Sequence, residues 1–144
     1  MNTRMLLAGL AAGVFSFLLG WVLWDMMGLM DYFGKNTTAA YNALWKAPEN
    51  MNMIGMVISN LAMGGLVAWM LSRMGATTWM AGFMAAAILG GLITLSLDMF
   101  FYSMMNMYTN KTIVIIDVVV STVTTGLAGA VAGAVLGMAA KKAA

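Results

Sequence analysis

Asp25, Asp98 and Asp117 lie inside or at the edge of long apolar runs that contain no Lys or Arg. A carboxylate at membrane depth is costly, so it is normally buried against partners, shared or functional. Three such groups brought together would suit a cation or a proton. Like-charge repulsion and desolvation both act against three ionised carboxylates in one place. If they converge, at least one is expected to hold a proton or to be balanced by a bound cation.

Hydroxyl groups extend the pattern. Asp117, Ser121, Thr124 and Thr125 follow i, i+4, i+7, i+8 spacing and share one side of a helix. Thr94, Asp98 and Tyr102 are spaced by four and share a side of another, while Asn60 lies mid-run on a third. Together these faces could form a polar track from the surface to mid-membrane, its hydroxyls donating to a carboxylate or ligating a cation. The plainer reading has Asp25 and Asp117 touching headgroup water. Asp98 is then protonated and bonded to Tyr102 or a Ser/Thr. Hydroxyls in spans also bond their own i−4 carbonyl.

Two further residue types are unevenly placed. Trp21, Trp24, Tyr32, Tyr41, Trp45, Tyr102 and Tyr108 fall towards the Asp-bearing ends of the runs, and only Trp69 and Trp79 towards the other. An ordinary interfacial belt is more balanced, and carboxylates among aromatic rings suit an organic cation. The chain has 18 methionines, with Met26, Met30, Met51, Met53 and Met56 near the same ends at spacings found in thioether sites. Soft thioethers select Cu(I). Methionine is also a flexible apolar filler.

Other chemistry is excluded by what the chain lacks. Without Cys there are no disulfides, iron–sulfur clusters or thiolates, and without His the commonest general base and metal ligand is gone. A net charge of +2 is too small and dispersed for nucleic acid. No nucleophile–base pair, phosphate loop or zinc motif is present. No cofactor and no enzymatic activity are expected.

The elements that must position these residues follow from composition. The 144 residues are 62% hydrophobic and 8% charged, against about 25% charged in a soluble domain. Uncharged runs at 5–24, 51–72, 74–97 and 118–140 are each long enough to cross about 30 Å of hydrocarbon. The expected fold is an all-α, integral membrane bundle of four transmembrane helices, at about 5–30, 51–72, 78–105 and 113–139. Residues 1–144 then form a single transmembrane domain. The first run is apolar well beyond a signal-peptide core and is read as an uncleaved span. In loop 31–50, residues 37–46 suit a short interfacial helix, capped near Asn36 or Thr37 and ended before Pro48. Four spans put both termini on one side. Arg4, Arg73, Lys141 and Lys142 share that side, against Lys35, Lys46 and Lys111 on the other. The positive-inside rule then favours cytoplasmic termini in a bacterial inner membrane, with Lys141–Lys142 as a membrane-surface anchor.

The first and third runs align at an offset of 73: Ala8-Gly9 with Ala81-Gly82, Ala12 with Ala85, Leu19 with Leu92, and Asp25-Met26 with Asp98-Met99. The alignment suggests a duplicated helical hairpin with parallel halves. Small residues mark helix contacts: Gly9 and Gly13, then Ser16 and Gly20; Gly82, Ala86 and Gly90; Gly129, Gly133 and Gly137. Packing within one bundle is the expected use of these stripes. The Gly129–Gly137 stripe also offers a second surface, which would make the protein a homo-oligomer or a subunit of a membrane complex. An accessory or structural role is the second function class considered, and Cu(I) handling the third.

The stretch Leu95-Ser96-Leu97-Asp98-Met99-Phe100-Phe101-Tyr102, then Asn106-Met107, then Asp117-Val118-Val119-Val120-Ser121-Thr122, with Gly20-Trp21 near the end of the first span, resembles a family of small four-helix integral membrane proteins of Bacteroidota-type bacteria. The resemblance covers most of the chain. It implies the topology and brings no mechanism with it.

Overall fold

In a computed structural model of the protein, residues 3–141 are described, leaving aside the side chains of Pro48 and of residues 139–141. Lys142 of the expected surface anchor lies outside the described residues. The fold is all-α. Four helices are long and apolar enough to span a membrane: Thr3–Met26, Met53–Met74, Trp79–Met104 and Thr112–Met138. This is the organisation of a multi-pass membrane protein.

In chain order, α1 (Thr3–Trp21) continues as a π turn, Val22–Met26. Gly28 then takes a left-handed conformation, φ +73°, and α2 (Leu29–Asn36) leaves in a new direction. The first span therefore ends at Met26, not near residue 30. Met27, Leu29 and Met30 continue the apolar composition past a break that only Gly28 could have signalled. The expected helix over 37–46 shrinks to α3 (Ala39–Asn42), with Thr38 as its cap accepting from Tyr41 N–H. A 3-10 turn (Pro48–Asn50) leads to α4 (Met53–Met74), which begins with the Asn52 side chain accepting from Gly55 N–H at 3.0 Å. α4 stops at Gly75, left-handed at φ +66°, where glycine alone is unstrained. α5 (Trp79–Met104) is capped by Thr78, which accepts from Ala81 N–H at 3.2 Å, and α6 (Thr112–Lys141) by Asn110, which accepts from Thr112 N–H at 3.0 Å.

The helices associate as two close pairs, α1 with α4 and α5 with α6. α1 also packs on α6, whereas α4 and α5 barely touch although they are consecutive. Glycines set both pairings. A Cβ on Gly64 would fall 2.5 Å from backbone atoms of Gly9 and Gly13. A Cβ on Gly82 would collide with the Gly129 carbonyl, one on Gly133 with the Thr78 carbonyl, and one on Gly137 with the Thr77 carbonyl. Lipid gives helices no hydrophobic reason to associate, so close backbone approach and its dispersion energy hold these pairs. The Gly129–Gly137 stripe is thus fully engaged within the chain. It offers no second surface.

The core lies in the half nearer the chain termini: Ala8, Ala12, Val67, Ala68, Leu71, Ala86, Ala128, Ala132 and Leu136. At the opposite, far end the loops are tied together instead. Thr38 N–H donates to the Met107 carbonyl at 2.9 Å, and Thr109 N–H to the Asn36 carbonyl at 3.0 Å. They bracket an antiparallel bridge between Thr37 and Tyr108.

Candidate functional site

The bridge between the loops decides where Tyr108 points. Its hydroxyl donates to Asp98 Oδ1 at 3.0 Å. Asp98, on the last turns of α5, is only 5% exposed. Its Oδ2 is buried and has no hydrogen-bond partner among the described residues. The plainer sequence reading pairs Asp98 with Tyr102 or with a Ser or Thr. Tyr102 is 40% exposed and stacks instead on Tyr108, with ring centroids 6.5 Å apart. A residue four positions along a helix shares its face but not its depth, and the returning loop provides a partner that spacing along one helix cannot reveal.

Asp117 is half-buried on α6 and accepts from Ser121 Oγ at 3.4 Å. It lines a cavity of about 290 Å³ under the far-end loops, together with Trp24, Phe33, Tyr41, Trp45 and Tyr108. Met30, Gly34, Thr37, Asn42 and Met107 complete the wall, and no Lys or Arg contributes. The aromatic rings brace one another. Trp24 and Phe33 lie 4.9 Å apart at 54°, and Tyr41 and Trp45 meet edge to face at 6.2 Å. The backbone behind them is fixed by side chains. Thr37 Oγ1 donates to Asn42 Oδ1 at 2.8 Å, and Asn42 Nδ2 to the Gly34 carbonyl at 2.7 Å. Burial raises the pKa of the Tyr41 phenol above its usual value, and the nearby Asp117 and Asp98 carboxylates add to the rise, while a hydrogen bond with Trp45 opposes it.

A second cavity of about 210 Å³ lies deeper, between α1, α4 and α6. Asn60, Ser121 and Thr124 line it, as do Ser16 and Thr125, and Trp24 borders both cavities. On α6, Asp117 lines the outer cavity and Ser121, Thr124 and Thr125 the deeper one, with Ser121 Oγ donating to Asp117 Oδ1 between them.

The remaining expected residues divide. Asp25 is exposed and lines neither cavity. Its match to Asp98 in the offset of 73 fails for a local reason. Each i→i+5 bond of the π turn takes up one residue more than an α bond, which rotates residues after Val22 about the helix axis. Thr94 is half-buried on α5 and lines neither cavity. Of the five methionines considered for copper, Met26, Met53 and Met56 are exposed by 68%, 54% and 44%. Only Met30 lines a cavity, so the structure forms no thioether pocket from Met51, Met53 and Met56. Among the described residues no group of three or more carboxylates stands ready to hold a metal ion. The cage residues Trp24, Phe33, Tyr41, Trp45 and Tyr108 carried no individual assignment from sequence, although the uneven placing of aromatics pointed to their end of the molecule.

Compared with protein families, with curated proteins and with solved structures, the chain finds no match.

Proposed function

We propose that the far-end cavity binds a small organic cation of the alkylammonium class. One observation carries this reading: the Asp117 carboxylate opens into a cavity walled by five aromatic side chains and lined by no cationic one. Ring faces attract a cation through their quadrupoles by about 0.5–2 kcal/mol each, most strongly where water is displaced. A carboxylate in the same wall supplies net charge. A volume of about 290 Å³ falls just below the roughly 300–1,000 Å³ of small-molecule pockets, which suits a compact ligand. Asp98 adds a second negative field, since both carboxylates act on Tyr108.

We place the protein in a bacterial cytoplasmic membrane with both chain termini in the cytoplasm, on the excess of Lys and Arg at that end. The cavity then faces the outside of the cell, and the protein acts there as a binding component rather than a catalyst.

The test uses the fluorescence of Trp24 and Trp45 in purified protein titrated with tetramethylammonium or choline. Saturable binding is expected, with the uncharged carbon isostere of choline binding at least tenfold more weakly. Asp117→Asn should weaken cation binding about tenfold or more, since tenfold corresponds to about 1.4 kcal/mol. Tyr41→Leu and Trp45→Leu should weaken it about 2- to 30-fold each. Asp25→Asn should change nothing. Equal binding of the cation and its isostere, or equal effects of Asp25→Asn and Asp117→Asn, would refute the reading.

A further inference from the structure

We propose that the deeper cavity, between α1, α4 and α6, is a separate binding site for a small dehydrated alkali cation such as sodium. The inference rests on which hydrogen-bonding atoms the lining groups have left to offer. Asn60 Nδ2 donates to the Met56 carbonyl at 2.9 Å, which leaves its carbonyl oxygen as acceptor. Thr124 Oγ1 donates to the Ser121 carbonyl at 3.3 Å, and Ser121 Oγ donates to Asp117 Oδ1 at 3.4 Å. The Ser121 and Thr124 hydroxyl protons are both donated to oxygens of their own helix, which leaves the lone pairs of these two hydroxyls free to accept. Ser16 adds a further hydroxyl from α1. A set of neutral hard oxygens, with one carboxylate a single hydrogen bond away and no Lys or Arg among the lining residues, replaces the water shell of a hard monovalent cation.

The space itself is built in. Gly20 lines the cavity, and a Cβ placed there would meet nothing within 4 Å. Gly13, about two helical turns nearer the termini, is instead pressed on Leu61 of α4. The same stripe of small residues on α1 therefore closes the helix pair at one level and leaves it open at the next. Thr124 lies about 18 Å along α6 from Thr112, at about 1.5 Å per residue, which is mid-depth in the span. Below it Val67 and Ala128, both under 4% exposed, seal the cavity floor. A cation here would be reached from the far end, past Trp24 and Asp117, and would share the Asp117 charge with any ligand in the outer cavity.

This site does not depend on the alkylammonium reading, and the experiment separates the two. Thermal unfolding of the purified protein is followed in sodium, lithium, potassium or N-methylglucamine chloride at constant ionic strength, alongside equilibrium binding of radioactive sodium. A saturable, alkali-specific rise in Tm is expected, with bound sodium approaching one per chain. Thr124→Val and Asn60→Leu should raise the half-saturating concentration at least tenfold. Thr124→Ser should restore it. Gly20→Leu, which fills the cavity and removes no polar atom, should abolish it. Trp45→Leu should leave the sodium response intact while weakening tetramethylammonium binding. If a polar variant fails to fold, the Gly20→Leu result and the direct binding measurement on the unaltered protein decide. No sodium bound by the unaltered protein, or an undiminished response in Gly20→Leu, overturns the proposal whatever tetramethylammonium does.

Discussion

Three influences act on the Tyr108 phenol in one direction. Burial comes first, then the bond donated to Asp98, then the negative fields of Asp98 and Asp117, with Tyr41 adding a small share. All raise its pKa above the usual 10.0. A pKa higher in the folded state means that the folded protein holds this proton more tightly. The stability it adds is complete below about pH 10 and is lost as pH rises through the folded value. Tyrosinate absorbance in an alkaline titration should accordingly show a late-ionising component that disappears in Tyr108→Phe. A variant curve that lacks an ordinary phenol, with the late component intact, would contradict this. The same substitution leaves both Asp98 oxygens buried without a partner, which should destabilise the protein by about 1–3 kcal/mol. Asp98 and Asp117 were legible as candidates because a carboxylate in an apolar run stands out. Tyr108 was not legible as the partner, because its position depends on a loop pairing between Thr37 and Tyr108, and two loops far apart in sequence carry no periodicity that shows they meet.

Along each helix, neighbouring glycines have different duties. Gly64 faces the α1 backbone, and an added Cβ would sit 2.5 Å from Gly9 and Gly13 atoms. Gly65 has open space at its Cβ position. Gly64→Ala should therefore cost about 1–3 kcal/mol through overpacking. Gly65→Ala should be neutral or gain up to about 1 kcal/mol from helix propensity. Reversible unfolding in mixed micelles would measure both, and equal effects at the two positions would show that the pair does not cross at Gly64. The four spans were readable from run length to within a few residues, since a bilayer fixes the length of an apolar helix. The sides on which they pack were readable only through small residues. A helix in lipid is apolar all round, so hydrophobic periodicity loses its meaning there, and Ala8, Gly9, Ala12 and Gly13 mark the buried side of α1 by size alone. The π turn had no such marker.

Taken whole, the molecule is open at the far end and closed at the other, where Ala12, Ala68, Leu71 and Ala132 are wholly buried. The absence of cysteine makes this contrast directly measurable. In sealed vesicles, a membrane-impermeant thiol reagent should modify Met30→Cys from one face only. It should leave Ala132→Cys unmodified from either face until the protein is unfolded. Modification of Ala132→Cys in the native protein would show a path through the closed half. The arrangement of the helices also has a consequence for how the chain is made. α5 barely touches α4, the helix synthesised before it. The residues that cover its glycines, and Tyr108, which pairs with Asp98, all lie downstream. During translation α5 therefore enters the bilayer as an orphan. Its carboxylate has Tyr108 close behind it in the chain, but its small-residue face meets hydrocarbon uncovered until the last helix arrives to pack against Gly82, Gly90 and Gly91. A chain halted after residue 111 should be recognised as unfinished and degraded within minutes in a pulse-chase experiment, whereas the same fragment supplied with α6 as a separate polypeptide should persist. The final quarter of the sequence acts in this sense as a built-in chaperone for the quarter before it.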